Sequence, residues 1–302
     1  MADIDQDAKA SDGQAFVTRL EDIGNGTHAP GRVLYLKKPD GTYIEATGSD
    51  QGSLVTSELG LEVARGNIAG MKMFSIPGRR DAVATANLED LTETGVDVLG
   101  RPAGAKLDLI TASGDDDVGG TGAQVIEIEY LDSSGAEQQL QVETNGGTVS
   151  NVGGEDIHDV QWMHVARLGG GALGVAAGKI TLVAQSGGEV FEQISAGGNQ
   201  SLSARYKVPT GKTGFVMGWQ TSAVTRKIDM RLRADVDRFT RVLQPGVFNF
   251  QDAIVLEQVA SPWVPFWAPL KMPAGAVVKI SGISFTGTGD AGGQFDILLI
   301  DD

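Results

Sequence analysis

The feature that most constrains the fold is a set of three short segments in which apolar and polar residues alternate. They span residues 106–110, 124–130 and 138–143, and each places its apolar side chains on one side of an extended chain. Residues 111–122, between the first two, are rich in Gly and Asp, and residues 131–136, between the last two, are typical of a hairpin turn. The alternation predicts half-buried antiparallel strands.

Similar patterns recur along the rest of the chain. Residues 159–167 and 179–184 are typical of strands, and in residues 227–237 the apolar side chains occupy every second position. Glycine supplies 42 of the 302 residues and only 6% are aromatic, a composition that suits short strands joined by many turns. We therefore predict an all-β protein: an N-terminal arm and hairpin, followed by two antiparallel, jelly-roll-like β-sandwich domains.

Composition and length divide the chain into four parts. A chain of 302 residues has room for about two domains of roughly 100 to 200 residues each. Residues 1–31 are polar and predict a flexible arm or tether, and residues 32–70 predict a small docking region with a hairpin at a Pro-Asp-Gly turn. Residues 71–186 predict an acidic β-sandwich, and residues 187–302 predict a C-terminal one. Within the docking region, residues 54–65 fit either a short helix or an extended segment.

The net charge of −15 is concentrated in one region. Residues 1–80 carry 11 acidic and 9 basic residues, residues 81–159 carry 17 and 2, and residues 160–302 carry 11 and 13. Because a nucleic-acid binder needs a basic face against the phosphates, we expect no nucleic-acid partner. Two explanations of the acidic region stay open: it keeps a Gly-rich protein soluble, or it faces a basic surface on a partner or on a neighbouring copy.

The sequence also bears on the cellular compartment. No segment approaches the run of about 18 apolar residues that a membrane span needs, so we expect no membrane partner. The first ten residues lack the basic and then apolar pattern of a secretory signal, and we therefore expect synthesis in the cytoplasm without export by that route. The chain has no cysteine, which excludes disulfides and thiolate metal sites.

No motif predicts catalysis or a bound cofactor. The Gly-Lys-Thr at residues 211–213 lacks the earlier glycine of a phosphate-binding loop, and two Gly-x-Gly-x-x-Gly spacings precede strands rather than helices. There are only three histidines and no Gly-x-Ser-x-Gly elbow, which leaves little basis for serine hydrolysis. Paired carboxylates for glycoside hydrolysis stay open because acidic residues are plentiful. We predict that the protein is not an enzyme and has no cofactor.

Three consecutive aspartates are the only candidate metal ligands that we retain. Asp115, Asp116 and Asp117 offer oxygen ligands to calcium, although their loop lacks the later glutamate and the regular alternation of a calcium-binding loop. His158 and His164 are six residues apart, which is about 20 Å along a strand at roughly 3.3 Å per residue. That separation is too large for the two imidazoles to share a metal.

Aromatic and basic side chains mark candidate interfaces. Residues 261–270 gather two of the four tryptophans and a phenylalanine among prolines, and three explanations stay open: a core-lining connection, a subunit contact and a sugar-stacking platform. The arginines of residues 231–241 form either a solvated strand face or a surface that meets the acidic region of a neighbouring copy. The arm contains one short apolar cluster. The candidate interface residues are Phe16, Val17, Leu20, Arg231, Arg233, Trp263, Phe266 and Trp267.

Four turn motifs carry a resemblance to a known class of protein. They are a Ser/Asp/Gly loop ending in Gly-Thr-Gly at residues 111–122, Leu-Asp-x-x-Gly at residues 131–135, Val-Pro-x-Gly-Lys-Thr at residues 208–213, and Pro-x-x-x-Pro-Ala-Gly at residues 269–275. With these motifs in this order, residues 106–302 resemble structural proteins of tailed-bacteriophage virions. The match consists of turn and strand patterns and contains no reactive group.

The resemblance implies a virion component that acts by binding. The role that it favours is a capsid-attached decoration or head-fibre protein, with the first 80 residues docked on the shell and the major capsid protein or another virion protein as partner. We also expect self-association, with a trimer as one form, because exposed sheet edges are readily covered by another copy. The alternatives are a tail or neck fibre component that contacts the host surface and, from a different class, a carbohydrate-binding module or carbohydrate-active enzyme.

Overall fold

The computed structural model describes residues 59–94, 102–170, 174–185, 188–237, 241–244, 247–260 and 263–302, and the backbone of four short strands before them. The chain divides into two units, Met1–Ala69 and Gly70–Asp302. Both contain antiparallel sheets, and the described residues include a single short helix, so the all-β prediction is confirmed. Within the described part of the chain, no helix has the length and apolar character that crossing a membrane requires.

The first unit contains a four-stranded antiparallel sheet. Its strands are β1 (Asp7–Lys9), β2 (Ala15–Arg19), β3 (Val33–Lys37) and β4 (Tyr43–Ala46), in the spatial order β1-β2-β3-β4. β3 and β4 pair as the predicted hairpin requires, with Leu36 opposite Ile44. β1 and β2 lie in the segment predicted as an arm, so that segment supplies two strands to the sheet.

A short helix follows this sheet. Helix α1 (Leu59–Ala64) settles the ambiguous segment in favour of a helix over part of its length. The Glu62 carboxylate accepts hydrogen bonds from Asn67 Nδ2 at 2.6 Å and from Arg65 Nη1 at 3.0 Å, and these bonds lower its pKa. Gly66, with φ of 72°, adopts the left-handed conformation that commonly ends a helix.

The second unit contains the strands β5 to β19. In chain order they are β5 (Met71–Val83), β6 (Glu89–Asp90), β7 (Leu107–Thr111), β8 (Ala123–Leu131), β9 (Glu137–Glu143), β10 (Thr148–Val152), β11 (Asp159–Leu168), β12 (Ile180–Ala184), β13 (Val190–Ile194), β14 (Arg205–Lys207), β15 (Lys212–Ala234), β16 (Asn249–Ala260), β17 (Val264–Met272), β18 (Val277–Ser284) and β19 (Gly289–Asp301). They form one large sheet and two smaller ones.

The large sheet is organised around β15, which is 23 residues long. One flank of β15 pairs with β19 and then with β18, and the other flank pairs with β17 and then with β16. β14 and β6 extend the sheet beyond β18, and β5 extends it beyond β19. The predicted alternation along β15 is confirmed, since Ile228, Met230 and Leu232 are fully buried in the core of this sheet.

The two smaller sheets form a sandwich. One has the strand order β10-β7-β12-β13 and the other has the order β11-β8-β9. Their shared core takes Leu107 from β7, Ile126 and Ile128 from β8, and Met163 from β11. Because side chains from both sheets enter one buried cluster, the alternating segments of residues 106–143 are indeed half-buried strands.

The strands are not divided between the two cores as the sequence predicted. β5, which was expected in the acidic sandwich, pairs with β19 of the large sheet, with Phe74 opposite Ile297. β13, which was expected in the C-terminal domain, pairs with β12, with Ile194 opposite Ile180. The sandwich strands β7 to β13 are thus inserted between two portions of the large sheet. Alternation within a strand specifies its buried face but not its partner, which explains the difference.

Close contacts hold the sandwich against the large sheet. Asp159, at the start of β11, accepts hydrogen bonds from Arg205 Nη1 and Nη2 in β14, each at 2.8 Å. The two side chains are 2% and 9% exposed, so this is a buried, bidentate ion pair. Within the large sheet itself, Gly78 of β5 lies so near its neighbours that a Cβ there would meet the backbone nitrogen of Ala204 and, at 2.6 Å, the carbonyl oxygen of Leu91.

Candidate functional site

Exposed apolar side chains concentrate at one edge of the large sheet. β16 and β17 each pair with β15 alone among the described strands, so their outer edges present unpaired backbone N–H and C=O groups. Five large apolar residues on or beside these strands are exposed, and we call them the apolar edge: Phe250, Val255, Val259, Trp263 and Trp267.

Strand alternation explains why these side chains face outward. In β16, Ile254 and Leu256 pack towards the core of the large sheet, whereas Val255 between them is 49% exposed. In β17, Phe266 packs against the same core, whereas Trp267 is fully exposed. An aromatic side chain of this kind can bury about 150–250 Å² in a contact. A long edge with several such residues is typical of a surface that meets another protein.

The predicted aromatic interface residues therefore separate into two groups. Trp263, which is 37% exposed, and Trp267 lie on the apolar edge. Phe266 is partly buried, and the core-lining explanation holds for this residue. The contact explanation and the sugar-platform explanation apply only to the two tryptophans.

The predicted arginines are paired within the chain. Arg231 donates to Asp229 Oδ2 from Nε at 3.0 Å and from Nη2 at 2.6 Å, and its guanidinium lies 4.4 Å from the ring centre of Phe250. Arg233 donates from Nη2 to Asp90 Oδ1 at 2.8 Å, and its side chain is 15% exposed. Arg231 thus borders the apolar edge, whereas Arg233 belongs to an internal network rather than to an interface.

The interface candidates in the N-terminal segment are only partly described. Phe16 and Val17 lie in β2, where Val17 is opposite Tyr35, and their side chains lie outside the described residues. Leu20 also lies outside the described residues.

The aspartate loop is held by backbone N–H groups. The Asp116 carboxylate is fully buried and accepts three backbone hydrogen bonds at 2.7–2.9 Å, from Ala123, Ala177 and Gly178. These bonds tie the loop to the residues that precede β12. The three hydrogen bonds account for the buried carboxylate of Asp116 as a structural feature of the loop. They add no support to the prediction that residues 115–117 bind calcium.

Strand pairing assembles a histidine and two glutamates that the sequence analysis did not connect. Ligand atoms of Glu127, Glu129 and His164 all lie within 4.8 Å of one another, a donor set that divalent metals accept. Glu127 is already engaged, since Gln141 Nε2 donates to it at 2.7 Å and His164 Nε2 lies 3.7 Å away. Burial raises the pKa of Glu129, and the neighbouring His164 opposes that rise. The two glutamates alternate visibly in the sequence, but only the pairing of β8 with β11 brings His164 to them.

Comparisons with known proteins do not identify a family for this chain. No family model matches the chain, and no curated protein matches it. The T=1 particle protein derived from infectious bursal virus is 10% identical, with 77% of this chain and 79% of that chain covered and a TM-score of 0.11. The VP2 subviral particle of infectious bursal disease virus is 9% identical, with coverage of 78% and 82% and a TM-score of 0.12. At these TM-scores the chains do not superpose as a whole, so the functional interpretation rests on the residues of this protein.

Proposed function

We propose that this protein is a structural component of a virion and acts by protein–protein binding through the apolar edge. The specific role that we propose is a capsid-attached decoration or head-fibre protein of a tailed phage, without catalytic activity. The observation that carries the proposal is the exposure of Trp267 and its apolar neighbours on edge strands with unpaired backbone groups.

The motifs behind the virion resemblance make architectural contacts, which supports this role. In the Leu-Asp-x-x-Gly turn, the carbonyl of Gly135 accepts a hydrogen bond from the Thr210 backbone at 2.9 Å, and the carbonyl of Ser134 accepts one from the Thr210 hydroxyl at 2.8 Å. Thr210 belongs to the Val-Pro-x-Gly-Lys-Thr segment, and in that segment the carbonyl of Val208 accepts a hydrogen bond at 2.8 Å from the backbone N–H of Gly275, in the Pro-x-x-x-Pro-Ala-Gly motif. Three of the four motifs thus meet each other, and their residues serve architecture rather than chemistry.

The partner that we propose for the apolar edge is a second copy of this chain. Identical edge strands are complementary, because each offers both N–H donors and C=O acceptors to the other. Residues 205–302, which hold β14 to β19 of the large sheet, carry 11 basic and 9 acidic residues, a net of +2, whereas residues 107–194, which hold the sandwich strands β7 to β13, carry 2 and 14, a net of −12. Two copies therefore repel each other least when they meet through the large sheet. Two-fold pairing of edges closes a dimer, and head-to-tail pairing closes a ring such as a trimer.

Self-association is tested by analytical ultracentrifugation of the full chain. We expect an oligomer whose association constant falls about tenfold or more in Trp267→Ser, because aromatic anchors supply much of the energy of protein contacts. The side chain is fully exposed, so the substitution leaves the core intact. Val118→Ser is the matched control, since Val118 is 45% exposed outside the apolar edge. A wild-type chain that stays monomeric at about 1 mM, or an equal effect of both substitutions, contradicts the proposal.

Placement in a particle is tested by antibody-labelled electron microscopy of purified particles of the virus that encodes this chain. Label distributed over the head supports the decoration or head-fibre role. Label confined to the neck or tail replaces that role with a fibre component that contacts the host. Intact particles without label, and without the chain by mass spectrometry, refute the virion proposal altogether.

A further inference from the structure

A large cavity lies between β5 of the large sheet and strands β8, β9 and β11 of the sandwich. Its volume is about 920 Å³, near the upper end of the roughly 300–1,000 Å³ that is typical of small-molecule sites. Aromatic rings, glutamine amides, two glutamates and a lysine contribute to its lining. No residue of the apolar edge takes part, so the cavity is a separate feature of the molecule.

Aromatic rings that line the cavity are held in fixed orientations by other side chains. Trp162 of β11 stacks on His164, with 4.5 Å between ring centres and 26° between ring planes. Phe74 of β5 meets Tyr206 edge to face, with ring centres 5.3 Å apart and planes at 69°. Rings that are already held in place lose little conformational freedom when an apolar face of a ligand packs against them.

Two glutamine side chains in the lining have unused hydrogen-bonding groups. Gln139 lies in β9, and Gln200 is brought to the cavity by an isolated bridge to His164. Both residues are exposed, and within the described part of the chain neither side chain has a protein hydrogen-bond partner, so both amides are open to a ligand from solvent. Gln138, by contrast, donates to Asp132 at 3.0 Å. A free primary amide offers two N–H donors and one carbonyl acceptor, which suits a hydroxyl group in either direction.

The charges of the lining do not favour a charged or a purely apolar ligand. Lys72 Nζ lies 3.7 Å from Glu137 Oε2, so the lysine of the lining is already paired. Glu129, the other acid of the lining, is half-buried. A phosphate would therefore face two glutamates without a free lysine, and a hydrocarbon would bury the amides of Gln139 and Gln200 unpaired. The lining instead matches an uncharged molecule that carries many hydroxyl groups and apolar C–H faces.

We propose that this cavity binds a neutral oligosaccharide. The C–H face of a sugar ring packs on Trp162, and sugar hydroxyls pair with the amides of Gln139 and Gln200 and with the carboxyl group of Glu129. This inference does not depend on self-association through the apolar edge, and either proposal can fail without the other.

The test is ligand-observed NMR followed by calorimetry on the full chain. The probes are maltohexaose, cellohexaose and chitohexaose, with a galacturonic acid hexamer and a chitosan hexamer as their acidic and basic counterparts. We expect at least one neutral hexamer to bind, and the affinity to fall about tenfold or more in Trp162→Ala and in Gln139→Ala. Gln244→Ala is the matched control, because Gln244 is an exposed glutamine that is not part of the lining.

Each binding result either supports or overturns the oligosaccharide proposal. The Gln139 side chain makes no hydrogen bond within the described part of the chain, so Gln139→Ala tests the site even if Trp162→Ala loosens the sandwich. Circular dichroism checks that both variants are folded. Loss of binding in Gln139→Ala, with the affinity of Gln244→Ala within about twofold of wild type, supports the site. The proposal is overturned if no neutral hexamer binds at about 10 mM, if only a charged hexamer binds, or if both cavity variants bind as well as wild type.

Discussion

Replacing Asp90 with asparagine should destabilise the large sheet severely. Asp90 lies in β6, where its carboxylate accepts hydrogen bonds from Lys279 Nζ at 2.8 Å, from Arg233 Nη2 at 2.8 Å and from the Ser281 hydroxyl at 2.7 Å. The side chains of Asp90 and Lys279 are 6% and 2% exposed. Asp90→Asn keeps the shape of the side chain but removes its negative charge, so the buried Lys279 and the largely buried Arg233 lose an anionic partner.

The expected cost follows from burial of these charges. Removing one partner of a buried ion pair typically costs about 3–5 kcal/mol, because the remaining charge stays out of water without compensation. Since two cations are affected here, we expect about 4 kcal/mol or more in the free energy of unfolding. For a unit of this size, about 2–4 °C per kcal/mol converts this loss into a fall in melting temperature of roughly 8–16 °C.

Urea and thermal denaturation, followed by circular dichroism, measure this effect. Asp81→Asn is the matched control: Asp81 pairs with Arg79 at 3.0 Å, but the two side chains are 69% and 58% exposed, so the cost should stay below about 1 kcal/mol. Adding Lys279→Met to Asp90→Asn should recover part of the loss, because it removes one of the two cations that the Asp90 carboxylate neutralises. Equal effects of Asp90→Asn and Asp81→Asn would refute the reasoning, as would a double variant less stable than Asp90→Asn alone.

Three other sites provide separate tests of the fold. Hydrogen bonds from Ser134, Gln138 and a backbone N–H lower the pKa of Asp132 from 3.8 to about 2. The stabilisation that these bonds give to the turn is therefore complete above about pH 4 and is lost as the pH falls through 2. A carboxyl NMR titration of Asp132 with a midpoint near 3.8 would contradict this. Gly78→Ala should lower the free energy of unfolding, measured by urea denaturation, by about 2–3 kcal/mol, because the new Cβ would overlap backbone atoms. Gly114→Ala is the control and should be tolerated, since no atom lies within 4 Å of the Cβ position there; equal costs of the two substitutions would contradict the reasoning. Asp159→Asn should lower the free energy of unfolding by about 3 kcal/mol, because the buried guanidinium of Arg205 loses the carboxylate with which it pairs between the large sheet and the sandwich. An unchanged free energy of unfolding would show that this ion pair does not stabilise the contact.

The interaction surface was only partly predictable from the sequence, because the sequence does not show which way each side chain faces. The sequence identified residues 261–270 as an aromatic segment, but side-chain direction depends on how β17 lies against β15. That pairing turns Phe266 inward and leaves Trp267 in solvent. The arginines show the same limit: a cation in the sequence carries no information about which acid lies beside it, and Arg233 meets Asp90, which is 143 residues away.

The sequence by itself determined the all-β class and the buried faces of several strands. Alternation of apolar and polar residues is local, and a period of two forces the apolar side chains of β8 and β15 to one face wherever those strands lie. Turn chemistry is equally local, as the Asp132 hairpin between β8 and β9 illustrates. Neither signal depends on distant parts of the chain.

Only the tertiary structure decided which strands pair, and with them the cavity and the apolar edge. β5 could satisfy its hydrogen bonds with any strand of suitable length, and its pairing with β19 leaves Phe74 in the lining of the same cavity as the sandwich residue Trp162. The choice among partners is made by the summed packing of two separate cores, an energy spread over residues far apart in the sequence. No single segment contains that information, because the partners become neighbours only when the chain returns from the inserted sandwich.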